Sequence, residues 1–346
     1  MSQRILPAEW APQSGVMLTW PHAATDWAPR LAEAEPVFLD IARAVARHES
    51  LLIVCADDAH RRRVQGLLAE ASVPAERLHL ISAPSNDSWA RDHGPITVLV
   101  DDRPLLLDFV FNGWGNKYPA ELDNGISRAL CAAGAFADAP CESVDLVLEG
   151  GALESDGAGT LLTSESCLLN PSRNPRHDRH SLEARLSELL GFDRFLWLSH
   201  GALAGDDTDG HIDTLARFCD PVTIAYVKCD DPGDPHHDGL AAMEAELKDF
   251  RDRHGNPYRL IPLPWPGAKY GADGTRLPAT YANFLIINDA VLLPVYEDPA
   301  DDAAVAQVAA CFPERTVIPI HCTPLIQQYG SLHCVTMQFP TGVLKV

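Results

Sequence analysis

Positive charge is scarce in this sequence: 27 Lys and Arg stand against 48 Asp and Glu, a formal net charge of −21. So acidic a chain is a poor match for nucleic acid or an anionic membrane surface. It suits solubility first, and it also suits a cationic small molecule. No apolar run approaches the roughly 20 residues of a membrane helix. Met1-Ser2-Gln3-Arg4 is not followed by the apolar stretch of a signal peptide. A cytoplasmic protein with no nucleic-acid and no membrane partner is the expectation. The nine cysteines are odd in number and include no Cys-x-x-Cys pair. Without a secretory signal this argues against a disulfide framework. Most should be small buried apolar residues, Cys55 in Leu51-Leu52-Ile53-Val54-Cys55 among them. No low-complexity linker or long charge run divides the chain, so one domain over 1-346 is expected.

What is present is alternation. Amphipathic spacing predicts helices at Pro36–Arg47, Ala59–Glu70, Leu122–Ala133, Ser181–Leu190, Leu240–His254 and Ala303–Cys311. Short β-rich runs lie between and after them, among them Leu78–Ile81, Ile96–Val100, Leu105–Val110, Val144–Leu148 and Phe195–Leu198. Val222–Val227, Tyr258–Leu263, Phe284–Ile287, Val291–Val295 and Thr316–Ile320 continue the series. Helix and strand alternate, which gives an α/β class. One polar residue per unit, Asp92, Glu149, His211, Asn283 and Cys334, recurs at intervals on the order of 60 residues. Such a period suggests a repeat array or propeller-like ring, in which distant residues share one centre.

Five stretches carry reactive groups. In Trp89-Ala90-Arg91-Asp92-His93-Gly94-Pro95, a carboxylate beside an indole is suited to a cation, although Asp92 pairing with Arg91 in a solvated turn is the ordinary alternative. Leu148-Glu149-Gly150-Gly151 ends a strand with an acid and two glycines that permit close backbone approach. In Asp209-Gly210-His211-Ile212-Asp213, strand alternation would set His211 and Asp213 on one face, about 7 Å apart. His211 suits proton transfer near neutral pH. A metal site on His211 and the Asp206-Asp207-Thr208-Asp209 run is the rival, but the run lacks a calcium loop's closing Glu. Asn283 opens a strand and suits orienting a substrate or capping a turn. His-Cys occurs at His321-Cys322 and His333-Cys334, an unusual spacing for zinc. Gly330, four residues before Cys334, leaves room for approach and makes Cys334 the better nucleophile candidate.

Taken together, these blocks and Tyr281-Ala282-Asn283-Phe284 resemble the agmatine deiminase family, including its bacterial peptidyl-arginine deiminase branch. The likeness runs from Met17-Leu18-Thr19-Trp20-Pro21 to Cys334. It implies a five-bladed α/β propeller (pentein) with pseudo-fivefold symmetry, and metal-free hydrolysis of a small cationic guanidine without a cofactor. It implies Cys334 as nucleophile, His211 as acid/base and Glu149 as its partner. Asp92 and Asp213 become the guanidinium-binding carboxylates, and Trp89 and Asn283 pocket residues. For agmatine the products would be N-carbamoylputrescine and ammonia, released through a covalent thiouronium on Cys334. Asp207 is the candidate for the far amine. Free arginine, peptidyl-arginine, amidino transfer and a metal-dependent hydrolase are the alternatives, and a homo-oligomer stays open. One departure concerns substrate choice: Ser331 and Leu332 stand where agmatine deiminases often carry glycines.

Overall fold

The computed structural model describes residues 3–344. Four of its sheets repeat one pattern, an antiparallel pair of strands followed by a third strand parallel to the second. Ile96–Val100 pairs with Arg103–Val110, and Cys141–Val147 adds in parallel. Glu154–Ser155, Thr160–Ser164 and Arg194–Leu198 do the same. So do Ala216–Asp220, Thr223–Val227 and Arg259–Leu263, and Leu285–Ile287, Ala290–Val295 and Thr316–His321. A fifth sheet is built from both ends of the chain. There Thr336–Pro340 lies antiparallel to Gln13–Thr19, and Ser50–Cys55 and Leu78–Ser82 follow in parallel. Parallel neighbours need a crossover, and helices such as Leu31–Val45, Arg179–Leu190, His237–Asp249 and Asp301–Cys311 supply it. Among the described residues no helix is long and apolar enough to cross a membrane.

The sheet of both termini sits between two hydrophobic clusters. Val16, Leu18, Leu51 and Ile53 fall in one, and Met17, Leu52 and Val54 in the other. Side chains alternate across a strand, so a sheet covered on both faces needs an unbroken apolar run. That is what Leu51-Leu52-Ile53-Val54-Cys55 provides.

Several expected boundaries shift. Helix Arg179–Leu190 starts two residues before Ser181, because Asp178 is the N-cap and shares a capping box with Ser181. It ends at Gly191 as expected, at φ 80°, and a Cβ there would meet Arg4 O at 1.9 Å. Helix Leu31–Val45 starts before Pro36 and holds that proline inside. His211 opens no strand: a 3-10 turn, Ile212–Thr214, separates it from Ala216–Asp220, so strand alternation does not relate it to Asp213. Asn283 and Cys334 likewise precede their strands, Leu285–Ile287 and Thr336–Pro340. Cys131 and Cys141 form a disulfide across the short connection from helix Ile126–Ala132 to strand Cys141–Val147. The expectation that there is no disulfide framework did not foresee this one local bond, whose cysteines are ten residues apart. The other seven are free and buried, Cys55 included.

One buried cation ties the units together. Arg217, fully buried, donates to Glu154 Oε2 at 2.7 Å and Glu9 Oε2 at 3.0 Å. It also donates to the carbonyls of Phe284 at 2.6 Å and Ala282 at 3.2 Å. Glu9 accepts from the Ile286 amide at 2.7 Å, and Glu154 from the Phe218 amide at 2.9 Å. Burial raises the Glu9 carboxyl, but His333, Arg217 and Arg91 outweigh it and hold it well below the usual range. Burial pushes Glu154 up to about 7, against the pull of Arg217. Removing one partner of such a set leaves buried charge uncompensated, at a cost of about 3–5 kcal/mol. Arg217→Leu is expected to lower unfolding stability by that order in urea titrations. The stranded acids are relieved by protonation, so the deficit should be smaller at pH 5 than at pH 8. A deficit below about 1 kcal/mol, or one larger at acid pH, contradicts this.

Candidate active site

The five polar residues singled out by spacing occupy equivalent places. Each lies two to five residues before the first strand of its sheet, in a short turn: Asp92 in Ala90–His93, Glu149 before Gly150–Ala152, His211 before Ile212–Thr214. Asn283 precedes Leu285–Ile287, and Cys334 precedes Thr336–Pro340. Strand ends of different sheets thus deliver side chains far apart in sequence to one region.

Cys334 Sγ lies 3.4 Å from Asn283 Oδ1 and 4.0 Å from Asp213 Oδ2. Asn283 Oδ1 also accepts from the His333 amide at 2.9 Å and the Cys334 amide at 3.4 Å. Asn283 therefore fixes the turn that carries Cys334 and does not line the cavity, contrary to the expectation of a pocket wall. Asp92 Oδ2 accepts from Trp114 Nε1 at 3.0 Å, and Asp92 Oδ1 from the Gly151 amide at 3.0 Å. His211 Nδ1 stands 3.6 Å from Asp92 Oδ1. A Cβ on Gly151 would lie 2.4 Å from His211 Nδ1 and 2.9 Å from Asp92 Oδ1, so the close approach requires glycine. Arg91 does not pair with Asp92; it donates to Gln338 Oε1 at 2.5 Å.

Glu149 differs from expectation. Both its oxygens lie 2.9 Å from Arg173 Nε, and no hydrogen bond joins it to His211. Glu149, Cys167 and His211 do bring ligand-type atoms within 4.8 Å of one another. The arginine already on the carboxylate places a cation where a metal would need its charge, so this donor set does not fit a resident metal.

The electrostatics follow first from burial, with no lysine or arginine lining the cavity. Burial, then the charges of Asp213 and Glu149, push the Asp92 carboxyl well above its ordinary value. Burial also raises Asp213, but the hydrogen bond and charge of His333, with His211 and Arg217, win and lower it. Burial drives His211 down to about 3, so its ring is neutral. Burial, then Asp213 and Asp92, push the Cys334 thiol well above the usual range. Two buried atoms have no hydrogen-bond partner here: Asp213 Oδ1 and His211 Nε2. Buried polar atoms are rarely left so, and such exceptions mark function.

Cys334, Asp92, Trp89 and Asp207 line a cavity of about 180 Å³, with His211, Asp213 and Asn283 buried behind its wall. Sequence reasoning missed several of its residues. Trp114 is held over Asp92 by a left-handed backbone, φ 56°, and the glycines on both sides in Asn112-Gly113-Trp114-Gly115-Asn116 were the available signal. Asp26, Asp87, Tyr118 and Tyr329 also line it. Tyr118 Oη donates to Asp207 Oδ2 at 2.9 Å. Gly330 lies against Trp89, where a Cβ would sit 2.1 Å from the ring. Ser331 turns inward to Tyr296 Oη at 2.9 Å, and Leu332 is core, so neither replacement of the glycine run lines the cavity.

Similarity to known proteins matches this geometry. Residues 5–340 fit the Porphyromonas-type peptidyl-arginine deiminase family. An agmatine deiminase from Stutzerimonas stutzeri (strain A1501) is 34 % identical, over 98 % of this chain and 96 % of its own. A solved structure from Porphyromonas gingivalis, provisionally named an arginine deiminase, is 54 % identical with a TM-score of 0.93, covering 99 % of this chain and 100 % of that one. A cysteine-to-serine agmatine deiminase from C. jejuni, solved with substrate bound, is 34 % identical with a TM-score of 0.90, covering 99 % and 97 %. With the match running nearly end to end, the chain belongs to the Porphyromonas-type peptidyl-arginine deiminase family.

Proposed function

We propose that the protein hydrolyses the guanidinium group of agmatine, giving N-carbamoylputrescine and ammonia through a covalent intermediate on Cys334. The observation that carries this is a thiol and a buried carboxylate, Cys334 and Asp92, lining a cavity that supplies no cation of its own, with the second buried carboxylate, Asp213, 4.0 Å from the thiol. The lining includes Asp26, Asp87, Asp92 and Asp207 and no lysine or arginine. A guanidinium provides the missing charge at the inner end, and a terminal ammonium suits the outer aspartates. Free arginine would bring a carboxylate to the same acidic mouth, which like charge opposes. The apolar spacer would run between Trp89, Trp114, Tyr118 and Tyr329. Relatives named agmatine deiminase, one of them solved with substrate, support the reading. It includes a five-bladed ring closed by the sheet of both termini and forming a single domain, which the five equivalent turns support.

The chemistry follows from the charges. Asp213 and Asp92 grip the flat cation through paired hydrogen bonds. Asp92 gives up its proton to solvent when the cation arrives, and the same positive charge lowers the cost of the Cys334 thiolate. Neutral His211 accepts the thiol proton as sulfur attacks the guanidinium carbon. His211 returns that proton to a nitrogen of the tetrahedral adduct, the C–N bond breaks and ammonia leaves. Water then attacks the thiouronium carbon, with His211 taking its proton. The C–S bond breaks, His211 reprotonates the sulfur, Asp92 takes the remaining hydroxyl proton as the C=O forms, and the neutral ureido product departs. Holding the partners in line is worth on the order of 7–11 kcal/mol in ideal cases.

Cys334→Ala should lower ureido product formation on the order of 10⁴-fold, while Cys322→Ala, in the buried thiol at the other His-Cys pair, should leave most activity. The reverse order contradicts the assignment. Burial raises Asp87 and Asp207 to about 6, so both lose charge as pH falls below that value. KM for agmatine should rise below pH 6 with kcat less affected. Asp87→Asn with Asp207→Asn should raise KM about tenfold and flatten that rise. Steady-state kinetics with agmatine, arginine and an arginyl peptide test it, and arginine turned over faster than agmatine overturns the substrate.

A further inference from the structure

His333, next to Cys334 in sequence, is 1 % exposed and sits between two acids. Its Nδ1 is 2.7 Å from Asp213 Oδ2, and its Nε2 is 2.7 Å from Glu9 Oε2. The second contact faces away from Cys334. Glu9 lines a separate cavity of about 60 Å³, which shares no lining residue with the Cys334 cavity. Glu9 comes from the N-terminal segment, outside every block the sequence motifs single out. Its carboxylate is fixed by Arg217 at 3.0 Å and by the Ile286 amide at 2.7 Å.

From the unbroken line of short contacts we infer that Glu9, acting through His333, is a positioning residue for the reaction: it holds Asp213 in orientation and keeps it charged, so that Asp213 Oδ1 meets the guanidinium as an anion. The inference rests on Asp213 being a guanidinium-binding carboxylate, as proposed above.

Proton counting supports it. Two contacts of 2.7 Å between a ring nitrogen and a carboxylate oxygen need two protons. Three groups share them: Glu9, His333 and Asp213. Wherever the two protons sit, the three groups together keep one negative charge. Arg217 bears on where it falls, because its Nη2 lies 3.2 Å from His333 Nε2 and on the Glu9 side. Arg91 faces Glu9 at 3.9 Å. These arginines keep Glu9 ionised; burial and the same arginines lower His333, against the pull of Glu9 and Asp213, so His333 keeps Asp213 ionised first of all through the short Nδ1 hydrogen bond. Facing Asp213 from the other side are His211, Asp92 and Cys334, none of them a cation at neutral pH. Glu154 faces Glu9 across Arg217, with Glu49 and Asp206 further out. His211 and Arg217 contribute too, but His333 is the largest influence favouring charge on Asp213. The contrast with Asp92 is in keeping with this: equally buried, but with its nearest imidazole, His211, at 3.6 Å and not hydrogen-bonded, Asp92 is raised where Asp213 is lowered.

The experiment reads the charge of the site without relying on agmatine as substrate. Cys334 is alkylated with neutral iodoacetamide and with cationic 2-chloroacetamidine from pH 5 to 9, with mass spectrometry identifying the cysteine. Both reagents need the thiolate, so the ratio of their rates cancels its population and reports how strongly the site attracts a cation. In Glu9→Gln, with Asp213 released towards the raised range of its buried neighbour Asp92, the ratio should fall about tenfold relative to the native protein near pH 6, as a carboxyl titrating about one unit above that pH would give. It should rejoin the native ratio as pH rises and Asp213 ionises. A merely structural role would not give this pH dependence. A folded Glu9→Gln with the native ratio at every pH overturns the inference. Where Glu9→Gln does not fold, His333→Gln removes the same link and leaves Arg217 its carboxylate and carbonyl partners, with the same two outcomes. In folded single and double variants, the double should be no worse than the more affected single, and additive losses would show that the two do not act as one chain. An unaltered native preference for chloroacetamidine alongside no agmatine turnover would retire agmatine and leave this inference standing.

Discussion

Two buried carboxylates beside a thiol, with no cation among them, is an arrangement that a folded chain resists. Each anion loses its hydration, and each raises the cost of charging the next. The protein meets this cost unequally. Asp213 is held charged by His333, whereas Asp92 has only the Trp114 indole and the Gly151 amide and stays high. The thiol is held as a thiol by burial and then by the same two acids. A site of this kind is incomplete until a planar cation enters it, and the cation that completes it is also the one that activates the sulfur. Binding and activation then come from a single charge, which keeps a reactive thiolate from standing idle.

Rigidity is the other requirement, because the groups come from turns spread over most of the chain. The fold answers with a repeated device. A short turn precedes the first strand of every sheet, so each side chain is fixed by a strand end rather than by a mobile loop. Beneath the turns, Arg217 links carboxylates and carbonyls from several sheets and the N-terminal segment. The sheet made of both termini packs its two faces into different clusters. Cys334 is therefore anchored at the place where the chain's beginning and end meet.

Much of this was legible in the sequence. Apolar spacing located the main helices to within a few residues, and the strand–helix alternation gave the α/β class. The blocks around Asp92, His211 and Cys334 stand out because dense polar groups interrupt apolar strands. What was not legible depends on tertiary contact. Glu9 looks like any acid near a terminus, and nothing local shows that it meets Arg217 and His333. Arg217 carried a faint signal, a lone cation inside Leu215-Ala216-Arg217-Phe218. The His211 segment was mistaken for a strand because its alternation of types fits one, while a 3-10 turn wins locally. Glu149 was matched to His211, and the buried Arg173 that takes it lies 24 residues further on. The Cys131–Cys141 bond was not anticipated, because the odd cysteine count and the missing secretory signal argued against a disulfide framework and nothing local marks this pair.

The central claim is that sulfur bonds to the guanidinium carbon at one residue. The direct measurement is acid quenching within the first turnovers on agmatine, followed by peptide mass spectrometry. The account predicts an added mass of agmatine less ammonia on the peptide holding Cys334, absent when substrate is omitted and gone once agmatine is exhausted. Ammonia release with no adduct on any cysteine, or an adduct confined to Cys322, would contradict it.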